Sequence, residues 1–229
     1  NGTSYIVLAA AGSDSLSVIE IAADGSMVVR DHLMDGRDTR FGGVTALEVV
    51  EHEGTVYVIA GGADDGISVL MLLEGGLLVH RDRIEDTVDI TLDNVSAIAA
   101  KSGATGLDIF VASSSEAGIT RLLFDTGTAG ITQTASAEGS AVTGTAGNDV
   151  LQGQNGADIL IGGTGDDILR DGAGTDILSG GAGADVFILT SDGVTDTITD
   201  FTLGQDKLDL SLWPMLRDIS QLFISITPD

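Results

Sequence analysis

The sequence predicts an all-β protein in two parts: a run of four-stranded repeats, then a coil of short parallel strands closed by a cap. Three observations predict it. Gly is abundant at 32 residues and Pro scarce at 2, which suits turn-rich β-structure better than helices. Short β-branched runs recur at an offset of 51 within the first 140 residues, a period in the range of stacked or radial repeats. From Gly144 a nine-residue pattern runs five times without an insertion.

Composition narrows the function classes. Of the 229 residues, 43% are apolar, enough for a core and too many for a disordered acidic chain. Asp and Glu number 35 against 10 Lys and Arg, a net charge of -25. Such a surface repels nucleic acid and anionic lipid and attracts cations. Without a cysteine, disulfides, thiol catalysis and thiolate metal sites are excluded. No apolar run nears the roughly 18 residues of a membrane span. The apolar stretch 5–11 lacks a preceding basic segment and its pattern recurs later, so it reads as a strand and not as a signal peptide.

The charge also changes along the chain. Residues 141–229 hold 14 acidic groups, all Asp, and three basic ones, Arg170, Lys207 and Arg217. Residues 136–140 read as a linker, giving a repeat region over 1–138 and a second domain over 139–229.

In the first domain, residues 28–33 reappear as 79–84 and residues 44–47 as 95–98, both at 51, while Gly66-Ile67 matches Gly118-Ile119 at 52. Runs at 56–60, 67–73 and 77–80, parted by Gly, Asp and Ser turns, give four strands per unit. This resembles a β-propeller blade; an ordinary β-sandwich is the alternative. About three units are present, and the first lacks its opening strand. Propellers need at least four blades to close. The region is therefore expected to be a fragment, a small β-array or part of an oligomer. His32, His52 and His80 form no zinc or acid–base motif, and no nucleophile elbow is present, so no catalytic residue is expected.

The nonapeptides span 144–152, 153–161, 162–170, 171–179 and 180–188. Asp fills the sixth place of each (Asp149, Asp158, Asp167, Asp176, Asp185), and Gly the fourth (Gly147, Gly156, Gly165, Gly174, Gly183). A large apolar group fills the eighth: Leu151, Leu160, Leu169, Leu178, Phe187. Six residues make a turn in which Gly supplies positive φ, and three make a strand favoured by the preceding Val or Ile. Two such units form an 18-residue coil. Asp149, Asp167 and Asp185 then line one edge, and Asp158 and Asp176 the other. Stacked carboxylates repel unless a cation lies between them, and an all-oxygen cage selects a hard ion, calcium before magnesium.

This pattern resembles the Gly-Gly-x-Gly-x-Asp-x-U-x repeat of RTX (repeats-in-toxin), or hemolysin-type, calcium-binding proteins, whose repeats wind into a parallel β-roll. The resemblance implies about three calcium sites, each with carbonyls and a carboxylate from two turns 18 residues apart. One would use Thr145, Gly147 and Asp149 with Gly162, Thr164 and Asp167. A second would use Gln154, Gly156 and Asp158 with Asp171, Ala173 and Asp176. A third would use Gly163, Gly165 and Asp167 with Gly180, Ala182 and Asp185. Thr145 and Gln154 at place two, and Asp171 at place one, depart from the Gly of the pattern.

Residues 196–211 resemble the C-terminal cap of serralysin-type RTX domains, with Phe201, Leu208, Leu210, Leu212 and Trp213 as cover. Asp196, Asp200 and Asp206 are read either as completing further half-sites or as turn residues. The resemblance implies an extracellular or cell-surface bacterial protein exported by type I secretion; with no catalytic constellation, a non-enzymatic structural, surface or adhesion module whose roll folds on calcium is expected. A fragment of a larger secreted hydrolase or toxin is the alternative. Calcium is the expected partner, with a homo-oligomer or larger assembly in view, and neither nucleic acid nor membrane insertion.

Overall fold

The computed structural model describes residues 3–213. Among the described residues all regular structure is strand, and no helix is long and apolar enough to cross a membrane. The chain divides into two units, 1–126 and 127–229.

In the first unit the chain meanders through three antiparallel sheets. Strands β1 (Ser4–Ala10), β2 (Ser15–Ile21) and β3 (Met27–Met34) form one. Strands β4 (Ala46–His52), β5 (Thr55–Gly61), β6 (Gly66–Leu72) and β7 (Leu78–Glu85) form the next. Strands β8 (Val95–Ser102), β9 (Gly106–Ser113) and β10 (Thr120–Asp125) form the third. The stretch 5–11 thus lies largely within β1.

The 51-residue period is built into the backbone. Pairing shifts register between Val18 and Ile19 in β2–β3, and again between Val69 and Leu70 in β6–β7, bulging Arg30 and Arg81. A bulge of this kind sharpens strand twist. Asp14 and Asp65, at equivalent turns, both hold φ at 48°. Asp35 Oδ1 accepts the N–H of buried Phe41 at 3.0 Å, and Asp86 Oδ1 that of buried Leu92 at 2.7 Å. Leu16, Val18, Phe41, Val44, Val58, Ala60, Leu70 and Leu78 pack the first two sheets into one core. The second and third sheets are tied by His52 Nδ1 to Ser102 Oγ at 2.8 Å and by Val95 N–H to the Gly62 carbonyl at 2.8 Å.

Only the middle repeat shows all four strands. In the first, strands β1, β2 and β3 stand at the places of β5, β6 and β7. The third repeat is short at its C-terminal end. Its fourth strand should fall where β7 lies, shifted by one period, and there stands β11 (Ala129–Thr134), which pairs parallel with a strand of the second unit. The physical reason lies in the side chains: buried Leu78 and Val79 of β7 are replaced by Ala129 and Gly130, which offer the third sheet little apolar surface.

The second unit is a two-sided parallel coil. One sheet runs β11, β13 (Asn148–Gln152), β15 (Ile168–Arg170), β17 (Val186–Ile188) and β19 (Lys207–Asp209). The other runs β12 (Ala141–Thr143), β14 (Ile159–Thr164), β16 (Ile177–Ala182) and β18 (Thr197–Ile198). Register steps by one coil throughout, as in Val150↔Ile168↔Val186 and Ile159↔Ile177. Leu151, Leu160, Leu169, Leu178 and Phe187 stack between the sheets, each wholly buried. Ala135 and Val142 extend that stack towards the N-terminus.

The coil starts earlier than its sequence signature. Residues 136–140, expected as a linker ahead of a domain at 139, are instead a turn of the coil. Gly139 N–H donates to the Ser136 carbonyl at 3.1 Å, and Ser140 N–H to Asp158 Oδ1 at 2.7 Å. This first coil keeps Gly where it closes on the next, at Gly130 and Gly139, but has Ile131 and Ser140 where the repeats have Asp.

Candidate metal centre

Each turn places its sixth-place Asp beneath the turn before it. On one edge Ile131 N–H donates to Asp149 Oδ1 (2.5 Å), Asp149 N–H to Asp167 Oδ1 (2.8 Å) and Asp167 N–H to Asp185 Oδ1 (2.9 Å). On the other edge Ser140 N–H donates to Asp158 Oδ1 and Asp158 N–H to Asp176 Oδ1, both at 2.7 Å. The cap continues both ladders: Asp185 N–H reaches Asp206 Oδ1 (3.1 Å) and Asp176 N–H reaches Asp196 Oδ1 (3.0 Å). One carboxylate oxygen is thus committed to the fold in every turn.

The second oxygen separates the turns into two kinds. In the last three, place two is Gly163, Gly172 or Gly181, with φ of 122°, 98° and 98°, values that favour Gly. There Asp167, Asp176 and Asp185 leave Oδ2 buried without a hydrogen-bond partner. In the first two turns place two is Thr145 or Gln154. Thr145 N–H donates to Asp149 Oδ2 at 2.6 Å, and Gln154 N–H to Asp158 Oδ2 at 3.1 Å. A β-carbon disfavours positive φ, and in these two turns the place-two amide bonds the oxygen that the last three turns leave without a partner.

Buried carboxylates without partners are costly unless neutralised. Burial pushes Asp167 up to about 7, against the lowering effect of the Asp149 amide and with further raising from Asp185, Asp149 and Asp166. Burial likewise raises Asp171 to about 6 despite its bonds from Thr190 and Gly172. Asp176, Asp185 and Asp196 are raised for the same leading reason. Orphaned oxygens in an all-oxygen surround fit a hard divalent cation. Asp171, Asp176 and Asp196 each bring a carboxylate oxygen within 4.8 Å of the other two.

Of the three ligand sets implied by the resemblance, the coil brings the residues of each into adjacent turns. In the first, Thr164 N–H donates to the Thr145 carbonyl at 3.4 Å, and Gly165 stacks on Gly147. A side-chain carbon at Gly162 would lie 2.2 Å from Asp167 Oδ2, so only Gly lets that carboxylate fold over its own turn. In the second, the Gln154 carbonyl accepts Ala173 N–H at 2.6 Å, and Gly174 closes on Gly156. The Asp171 side chain accepts Thr190 N–H at 2.8 Å. In the third, Gly163 pairs with Gly181 and Thr164 with Ala182, Gly165 N–H donates to the Ala182 carbonyl at 2.8 Å, and Gly180 lies against Asp185.

The three cap carboxylates differ. Asp200 accepts Ser179 Oγ–H and the amides of Gly180 and Gly181. Asp206 Oδ2 accepts Thr202 N–H at 2.7 Å. Phe201 packs on Phe187 with ring centres 5.9 Å apart, and Ile198 and Leu189 cover the end of the stack. Sequence reasoning missed a third ladder at place five. Asn148 Oδ1 accepts Asp166 N–H, and Asp166 Oδ1 accepts Ala184 N–H, both at 2.8 Å. Asn or Asp at place five in alternate turns was the available signal.

The model of the RTX calcium-binding nonapeptide repeat family matches residues 141–169 and 152–187, in four copies. No curated protein matches the chain. The match and the parallel coil coincide on the same turns, and both call for calcium. Residues 141–187 are RTX calcium-binding nonapeptide repeats wound as a parallel β-roll.

Proposed function

We propose that this is a secreted, non-enzymatic RTX-type protein, exported by type I secretion, whose roll acquires its fold on meeting extracellular calcium. The observation that carries the reading is the set of buried, partnerless Oδ2 atoms on Asp167, Asp176 and Asp185. Without an ion these charges oppose the coil, and with one they hold its turns together, so binding energy becomes folding energy. In the antiparallel unit the first two sheets close on an apolar core, and the unit is expected to keep its fold without the ion. His32 and His52 serve as strand ties: Ser17 Oγ and His32 Nδ1 lie 2.8 Å apart, as do Ser102 Oγ and His52 Nδ1. The role proposed is structural, at a surface or in adhesion, with the antiparallel sheets as the presenting part.

Circular dichroism of the full chain during a calcium titration tests the folding claim. A β signal that grows with calcium, alongside a fraction that persists in chelator, is expected. A spectrum identical in chelator and in millimolar calcium would overturn it. Recovery of the chain from medium, against its retention in cells lacking the exporter, tests the secretion claim.

A further inference from the structure

The fourth turn departs from the others at place one, where Asp171 stands and the remaining turns have Gly. Asp171 is 1% exposed and accepts the Gly172 amide on Oδ1 and the Thr190 amide on both oxygens. These bonds use only part of the lone-pair capacity of a carboxylate. Asp176 of the same turn is also 1% exposed, and its Oδ2 has no partner. Asp196, beyond the last nonapeptide and outside the matched residues, completes the group, with one oxygen of each within 4.8 Å of the others. Three carboxylates gathered round a buried, unsatisfied oxygen demand a cation, and the absence of nitrogen or sulfur in the group selects a hard one.

We propose that Asp171, Asp176 and Asp196 form a three-carboxylate calcium site that fastens the fourth turn to the cap. It rests on the calcium reading above and goes beyond it, because sites between successive repeats have one Asp per turn with backbone carbonyls. The third charge makes this site the tightest of the array and the last to empty under chelation, since calcium affinity follows ligand charge. Its ion joins a repeat turn to the segment leading into β18, so the cap stays docked while sites between repeats empty.

Calorimetric titration of the full chain with calcium alone tests this, with Asp171→Gly and Asp196→Asn compared to the wild type. Asp171→Gly restores the residue of the other four turns, and Asp196→Asn keeps an acceptor for the Asp176 amide, so both turns retain a route to their fold. In each variant the tightest binding event is expected to weaken about tenfold or more, while weaker events and the calcium-saturated β signal stay as in wild type. Isotherms of both variants superimposing on wild type would overturn the site while leaving the calcium reading intact. Weakening by Asp196→Asn alone would also overturn it, reducing the site to an ordinary pair. A wild-type chain that takes up no calcium would instead overturn the underlying reading.

Discussion

Asp149 and Asp167 stand 18 residues apart in sequence and one hydrogen bond apart in space, the Asp149 amide donating to Asp167 Oδ1 at 2.8 Å. Asp167 therefore does two things with two oxygens: Oδ1 satisfies a buried amide, and Oδ2 is free for an ion. Substitution separates the roles. Asp167→Asn keeps an acceptor and removes the charge, so calcium affinity falls about tenfold or more with the coil retained at saturating calcium. Asp167→Ala also orphans the amide, at a cost of about 1–3 kcal/mol. Calorimetry and urea denaturation in excess calcium measure the two effects. Equal stability of the two variants would show that the hydrogen bond contributes nothing.

The contrast at place two makes the opposite prediction, a gain. Gln154→Gly permits the positive φ seen at Gly163, Gly172 and Gly181, which frees Asp158 Oδ2 from its own turn's amide. Calcium titration of the variant is expected to show tighter binding or an added event. An unchanged isotherm would mean that the Gln154 amide does not compete with the ion.

Acid acts on the roll in two opposed ways. Burial raises Asp167 to about 7 and Asp171 to about 6 in the folded roll, whereas unfolded Asp stays near its ordinary 3.8. A carboxyl raised on folding contributes stability while protonated, and that contribution is lost as pH rises through its folded value. In chelator, the roll is thus expected to gain β signal as pH falls from about 7.5 towards 5. In calcium the same protons compete with the ion, so apparent affinity drops over that range. Circular dichroism and calcium titration across pH check both slopes. A calcium-free β signal that falls steadily on acidification would contradict the first.

The apolar ladder sets the strength of the folded roll. Leu169 lies wholly buried in the stack, paired with Leu151 and Phe187 along its own sheet. Leu169→Ala is expected to cost about 2–5 kcal/mol in calcium-saturated urea unfolding of the roll. The transition of the antiparallel unit is expected to stay where it was. A shift of both transitions together would show that the units unfold as one.

Much of this was legible in the residues because a nine-residue period leaves few alternatives. An Asp at every sixth place and a large apolar group at every eighth fix the two edges and the core of the roll. The 51-residue period was legible too, and returns as the paired bulges at Arg30 and Arg81. The start of the roll was not. Ala129–Thr134 has neither Gly-Asp turns nor a repeating apolar place, and becomes a rung only because β13 offers it an edge. Nor could spacing reveal that Thr145 and Gln154 turn their amides onto Asp149 and Asp158. That depends on backbone φ, which a β-carbon limits but a pattern of letters does not display.

The direction of the carboxylate ladder has a consequence for how the chain comes into being. In the sixth-place ladder, unlike the place-five bonds, the donor comes first in sequence and the acceptor follows, so Ile131 waits on Asp149, Asp149 on Asp167, Asp167 on Asp185 and Asp185 on Asp206. A nascent chain therefore emerges with its debts ahead of its means, each buried amide made before the group that answers it. The last answers, Asp196 and Asp206, arrive after all five repeats, and the roll is committed from its far end backwards.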